Sequence, residues 1–389
     1  MVRLAQRAWL RGLAILLVLA AVDEARSQEA WLVTYGPGAE VWELFGHNAL
    51  WLRDPERGLD HTFSFGYFEI DRPGFHLDFA RGIMLYYGAA SPAEREFAFY
   101  RARERSIGVQ RLALSPAQVR RLHGLIDEAI HPHPQYYAYD YFRANCSTWL
   151  RDLIDTVVDG QLYRALADEP ARLNFRDHTR RMTVDRPWIH TGIMLLMGPG
   201  IDARISAWDE TFLPAALADW LDTVEFDGEP LVVERRVLHD PRVFQPPEQP
   251  RGPWPLLLAV GLLAALVIVA GAWRGGTWGL LPWRLGVGLA GAAGAIVLGM
   301  WVFTGHRDTW QNLTLLLLHP LWWLLLAPLS GWPGRAVVAG LSGGLAIGSL
   351  ILAWPGLLQD RLDLLALLLP PLMAVLAVAL YLQMGRAGN

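Results

Sequence analysis

Asn145-Cys146-Ser147-Thr148-Trp149-Leu150-Arg151-Asp152 holds the only cysteine in 389 residues and reads as the opening of a helix. Asn145 belongs to the residue types that cap helix N-termini, because its side-chain oxygen takes up backbone N–H groups the first turn leaves unpaired. Downstream, Trp149, Leu150, Leu153, Ile154, Val157 and Val158 recur at helical spacing until Asp159-Gly160 stops the run. Cys146 shares a face with Trp149, Leu150 and Leu153, so its sulfur is expected to point inward from the first turn. There the positive end of the helix dipole favours thiolate over thiol, which makes a seat for a nucleophile. The competing reading is a small buried hydrophobe, the ordinary use of a free cysteine.

Composition narrows the rest. A lone cysteine excludes an intramolecular disulfide framework, and in an exported protein it leaves an intermolecular bond or a reactive thiol. The net charge of −4, with arginine as the only basic side chain besides histidine, offers no footprint for nucleic acid. The hydrophobic fraction of 53% is high for a soluble protein, and the excess lies after Trp254.

Residues 1–27 have the form of a secretory signal: Arg3, Arg7 and Arg11, an apolar core from Gly12 to Val22, and Ala25-Arg26-Ser27 at cleavage spacing. An uncleaved N-terminal anchor is the alternative, and either puts the following residues outside the cytoplasm. Residues 28–240 are mixed α/β and are expected to form the catalytic domain. Strands are predicted at Trp31–Tyr35, at Ala49–Leu52 after His47, and at His61–Tyr67, with a turn at 53–58. Helices are predicted over about 91–105 and 116–130, each opened by Ser-Pro. Trp188–Met197 is too short to span a bilayer and reads as core packing or a lipid-surface segment.

A Pro-rich linker at 241–253 leads to a membrane region over 254–389. Five transmembrane helices are expected there, at roughly 254–272, 285–303, 313–330, 336–354 and 364–382, each near the bilayer-spanning length. With 28–250 outside, the inner segments carry Arg274, Arg284, Arg335 and Arg386 and no acid, as the positive-inside rule asks. His319 is the one ionisable side chain in the spans; next to Pro320 it reads as filler of a helix kink.

A thiol nucleophile needs a base, and residues 28–250 hold nine histidines. His47 follows Gly46 and opens a strand, so its ring can project from the strand end. A hairpin of the expected length would set Asp60 or His61 beside it as the group that orients the imidazole. Zinc is the competing use of Cys and His, but C-x-x-C and H-x-x-x-H spacings are missing. A serine nucleophile lacks its G-x-S-x-G elbow. The reading calls for no metal and no cofactor.

Several motifs then fall in a familiar order. Thr34-Tyr35-Gly36-Pro37-Gly38, Phe45-Gly46-His47-Asn48-Ala49-Leu50, Phe65-Gly66-Tyr67-Phe68, Tyr139-Asp140-Tyr141-Phe142 before Asn145-Cys146-Ser147-Thr148, and Phe212-Leu213-Pro214 resemble the Lnb N-terminal periplasmic domain family, bacterial envelope proteins associated with N-acylation of lipoproteins. The His-before-Cys order also resembles the circularly permuted NlpC/P60 group of papain-like folds, which includes acyltransferases that move a fatty acyl chain from phospholipid onto cysteine. The resemblance implies an α+β papain-like periplasmic domain at the bacterial inner membrane. It implies Cys146 as nucleophile, His47 as base, and Asp60 or His61 as the third polar residue. Tyr35, Asn145 and Ser147 are the expected substrate contacts, Tyr35 standing equally for a packing residue. The implied partners are a phospholipid acyl donor, the diacylglyceryl cysteine of a lipoprotein as acceptor, and the membrane itself. Two other classes stay open, a membrane-tethered cysteine hydrolase (peptidase or lipase) and a non-enzymatic envelope scaffold.

Overall fold

The computed structural model describes residues 28–241, 245–327, 331–353, 359–360 and 362–387. The proposed signal or anchor at 1–27 lies outside the described residues. The chain divides into two compact units: Met1–Arg72, Met84–Arg172 and Ile205–Gln245 form one, and Pro73–Ile83, Leu173–Arg204 and Pro246–Asn389 form the other.

The first unit is α+β and is built on an antiparallel seven-stranded sheet. Its strands are β1 (Glu29–Tyr35), β2 (His47–Asp54), β3 (Leu59–Tyr67), β4 (Leu85–Pro92), β5 (Ile107–Leu112), β6 (Tyr136–Ala138) and β7 (Val232–His239), in the spatial order β6-β4-β3-β2-β1-β5-β7. Ser91 and Pro92, expected to open a helix, end β4 opposite Thr62 and His61, and helix α1 runs Ala93–Ala102. Helix α2 (Pro116–Ile130) starts where its Ser-Pro predicts, with Ser115 and Gln118 closing a reciprocal cap.

Strand alternation sends side chains to two different cores. Leu32, Leu50, Leu52, Phe63 and Phe65 meet α2 and helix α3 (Cys146–Val157) on one face. Trp31, Val33, Tyr35 and Ala49 meet Ala93, Phe97 and Tyr100 of α1 on the other. β1 is buried almost throughout because both its faces are covered.

The second unit is helical. It pairs α4 (Phe175–Thr183) and α5 (Pro187–Leu196) with α6 (Trp254–Arg274), α7 (Leu281–Phe303), α8 (Gly331–Ala353) and α9 (Leu362–Ala387). Trp188–Met197 is thus mostly α5, with His190 and Met194 buried and Trp188 exposed. Four helices among the described residues are long and apolar enough to cross a membrane, not the five expected. The third expected span, 313–330, forms two 3₁₀ segments instead, Leu313–Leu316 and Pro320–Leu326. Pro320 is the physical reason: it brings no N–H and drives the preceding residue out of helical space, and His319 is extended at φ −145° and ψ 156°. Leu317, Leu318, Trp322 and Leu325 of this segment are nevertheless buried in the helical core.

Candidate active site

The start of α3 is fixed from several directions. Asn145 Oδ1 accepts from the N–H groups of Ser147 (2.9 Å) and Thr148 (3.0 Å), and Thr148 Oγ1 accepts from Asn145 N–H (2.8 Å). Asn145 Nδ2 donates to the carbonyls of Tyr141 and Phe212, each at 2.9 Å. The expected cap is therefore present, and it uses Asn145's side chain completely. Ser147 is fully buried and its Oγ donates to Asn48 Oδ1 at 2.8 Å, tying the helix to β2. The Asn145 side chain is thus fully engaged and the Ser147 hydroxyl gives its proton to Asn48, and both hold the helix start that carries Cys146.

Cys146 is a half-buried free thiol. The β2–β3 ladder ends at Leu50 and Phe63, and beyond it the two strands make room for the helix start. A Cβ built on Gly66, which has φ +107°, would lie 3.9 Å from Cys146 Cβ. Burial pushes the Cys146 thiol above its ordinary value, against the backbone N–H of Asn48, the Ser147 hydroxyl at 3.9 Å, and the N–H groups of Ser147 and Cys146. The first-turn position was expected to favour thiolate. Desolvation outweighs it here, and the resting group is a thiol.

His47 opens β2 immediately after Gly46, which has φ +83° and where a Cβ would lie 2.8 Å from the Tyr35 carbonyl oxygen, leaving no space for a side chain. Its ring lies parallel to Tyr35 and Tyr100, with centroids 6.1 and 6.4 Å away. Burial, with the Arg105 guanidinium adding to it, holds the imidazole down to about 3, so it is neutral and carries a free lone pair at physiological pH. His47 and the Asn48 N–H that faces the sulfur are neighbours in the chain, which brings imidazole and thiol to one end of the sheet. No hydrogen bond joins the two side chains.

Asp60 and His61 do not join them. The hairpin turns directly after Asp54, so Asp60 stands opposite Arg53 and His61 opposite Leu52, at the far end of β2 from His47. Extending that register sets Gly66 opposite His47. Five residues of strand separate His47 from Leu52, about 17 Å at the usual rise. Asp60 accepts instead from Trp51 Nε1 at 2.6 Å.

Residues 20–182 match the family model of the Lnb N-terminal periplasmic domain. The chain carries that domain. The match includes His47 and Cys146 and stops short of Phe212-Leu213-Pro214. No curated protein and no solved structure matches the chain. A periplasmic domain of this family and four helices able to cross a bilayer fit an inner-membrane protein with its sheet in the periplasm.

Within this Lnb N-terminal domain, sequence reasoning singled out Tyr35 and missed Glu96, Thr62 and Arg105. Tyr35, fully buried, donates from its hydroxyl to Glu96 at 2.8 Å and stacks on Tyr100 with ring centroids 3.5 Å apart. It therefore packs and positions, with its hydroxyl already engaged. Glu96 also accepts from Thr62 at 2.7 Å, and burial raises its carboxyl although both bonds oppose the rise. Arg105 lies over the Tyr100 ring at 4.7 Å and pairs with Glu43 at 3.4 Å. One signal was readable: Glu96 recurs with Ala93, Phe97 and Tyr100 on a single helical face, an acid on an apolar stripe. Arg105 had none, because Arg101-Ala102-Arg103-Glu104-Arg105 reads as a solvated helix end. Among the described residues no group of three His, Cys, Asp or Glu side chains could hold a metal ion.

Proposed function

We propose that the protein is a thiol-dependent acyltransferase that moves a fatty acyl chain from a membrane phospholipid, through a Cys146 thioester, to the N-terminal amine of a lipoprotein. The observation that carries the reading is the single thiol at a capped helix start, facing the N–H of Asn48, whose chain neighbour is the neutral imidazole of His47. The Lnb N-terminal domain and the apolar helices supply the context, since both substrates carry acyl chains held in the membrane.

In the first half-reaction the sulfur attacks the ester carbonyl carbon. His47 accepts the thiol proton as the S–C bond forms, because a thiol with a raised pKa and a weakly basic imidazole rest as a neutral pair. The N–H groups of Asn48 and Cys146 beside the sulfur are the donors for the developing oxyanion, that of Ser147 being held by the Asn145 cap. The ester C–O bond breaks, and the lysophospholipid alkoxide takes the proton back from His47. In the second half-reaction the lipoprotein amine attacks the thioester, the C–S bond breaks, and the amine proton returns through His47 to the sulfur.

Cys146→Ser tests this against its rivals, with lipoprotein N-termini read by mass spectrometry. A transferase loses the added acyl chain, by about 10³-fold or more in rate, as expected when a nucleophile is removed. Altered cell-wall fragments with unchanged lipoproteins would point to a peptidase. No change in either would leave a scaffold.

A further inference from the structure

We propose that Arg105 docks the phosphate of the acyl donor: its unpaired Nη2 takes an anionic oxygen of the phosphodiester a few bonds from the ester that Cys146 attacks. The inference rests on the acyltransferase reading and names which class of lipid the site selects.

Arg105 is 3% exposed. Its Nε donates to the Gly36 carbonyl at 2.8 Å, its Nη1 faces Glu43 at 3.4 Å, and Tyr100 covers one face of the guanidinium. Nη2 is buried and, among the described residues, has no hydrogen-bond partner. A buried donor left unpaired costs free energy that an incoming acceptor recovers. The local charge also asks for an anion, since Glu43 is shared with Arg103 at 3.3 Å, which puts two cations on one carboxylate.

Its position suits the phosphate better than the reacting carbonyl. Arg105 stands two residues before β5, at the sheet end where β2 begins with His47. β1 lies between β2 and β5, so the two are about 10 Å apart at ordinary strand spacing. The charge is near enough for Cys146 and His47 to sense it. A guanidinium offset by this much reaches a group further along the lipid, and its planar fork matches phosphate oxygens.

The test uses the full-length chain in detergent micelles and the rate at which iodoacetamide alkylates Cys146, the only cysteine. Short-chain, ether-linked phosphatidylglycerol is compared with the ether-linked diglyceride that lacks the phosphate; neither can acylate the thiol. The phosphate-bearing lipid is expected to protect Cys146 at roughly tenfold lower concentration, the scale of one charge-assisted hydrogen bond. Arg105→Gln abolishes that difference and Arg105→Lys keeps part of it. Equal protection by both lipids in the wild-type chain overturns the proposal, and that arm decides even if Arg105→Gln fails to fold. A difference that survives in a folded Arg105→Gln chain overturns it as well. Inorganic phosphate protecting as well as the lipid would overturn the donor assignment and leave an anion site. No turnover is needed, so these results are read separately from loss of acyl transfer in Cys146→Ser.

Discussion

Each unit buries arginine, and Arg176 and Arg105 show two ways of doing so. In the helical unit Arg176 is fully buried with every guanidinium nitrogen engaged: Asp202 takes Nε at 2.6 Å and Nη2 at 2.9 Å, the Gly198 carbonyl takes Nη2 at 2.7 Å, and Met194 Sδ lies 3.5 Å from Nη1. Arg180 beside it serves Asp177, Asp360 and Asp363, and His190 meets the same Asp363 at 3.1 Å. In the sheet unit Arg105 keeps one nitrogen unpaired, at the sheet end that also holds an uncharged thiol and imidazole. A saturated network holds helices and the chain before α9 together. An unsaturated one is a site waiting for a partner.

Stability separates the two. Arg176→Met leaves Asp202 without its buried partner and is expected to cost about 3–5 kcal/mol, read as a lowered thermal midpoint of the full-length chain in detergent. Arg105→Gln is expected to cost clearly less, because Glu43 retains Arg103. Equal losses would make Arg105 a structural group and dissolve the contrast.

What the sequence disclosed follows the same division between local and distant causes. The Asn145 cap and the apolar face of α3 depend on neighbours within a few residues, and both are present as predicted. The strands around His47 were legible from alternation, but their register was not. A turn set directly after Asp54 moves His61 from the neighbourhood of His47 to Leu52. Hydropathy alone could not distinguish an α-helical span at 313–330 from apolar 3₁₀ turns, although Pro320 carried the warning. The Tyr35–Glu96–Thr62 group joins three separate elements; Tyr35 stood in a motif and Glu96 on an apolar stripe, and nothing local marked Thr62.

A smaller effect sharpens the sheet unit's side of the comparison through pH. His47 is held down to about 3 in the folded chain against about 6.5 when unfolded. Between those values the unfolded state binds a proton that the folded state refuses, so stability is complete above pH 6.5 and falls as pH drops toward 3. His47→Gln is expected to flatten this part of the acid response, measured as thermal midpoint against pH from 7 to 4. Glu96, with its raised carboxyl, works in the opposite sense and loses stability as pH rises through the carboxylate range. The difference between wild type and variant therefore isolates His47, and an unchanged slope would mean that the imidazole is solvated.

The smallest effect belongs to Asp60. Its carboxylate is exposed and its recorded partner is Trp51 Nε1, at the hairpin end remote from Cys146. Asp60→Ala removes that one exposed hydrogen bond and should cost about 0.5–1 kcal/mol. Its rate of Cys146 alkylation should match wild type, because the charges that the thiol senses come from the opposite end of β2. A severalfold change in that rate would mean that Asp60 orients His47 over a distance the register forbids. The hairpin would then have to pair differently in the working protein, and the fork that seats the sulfur would have to be rebuilt with it.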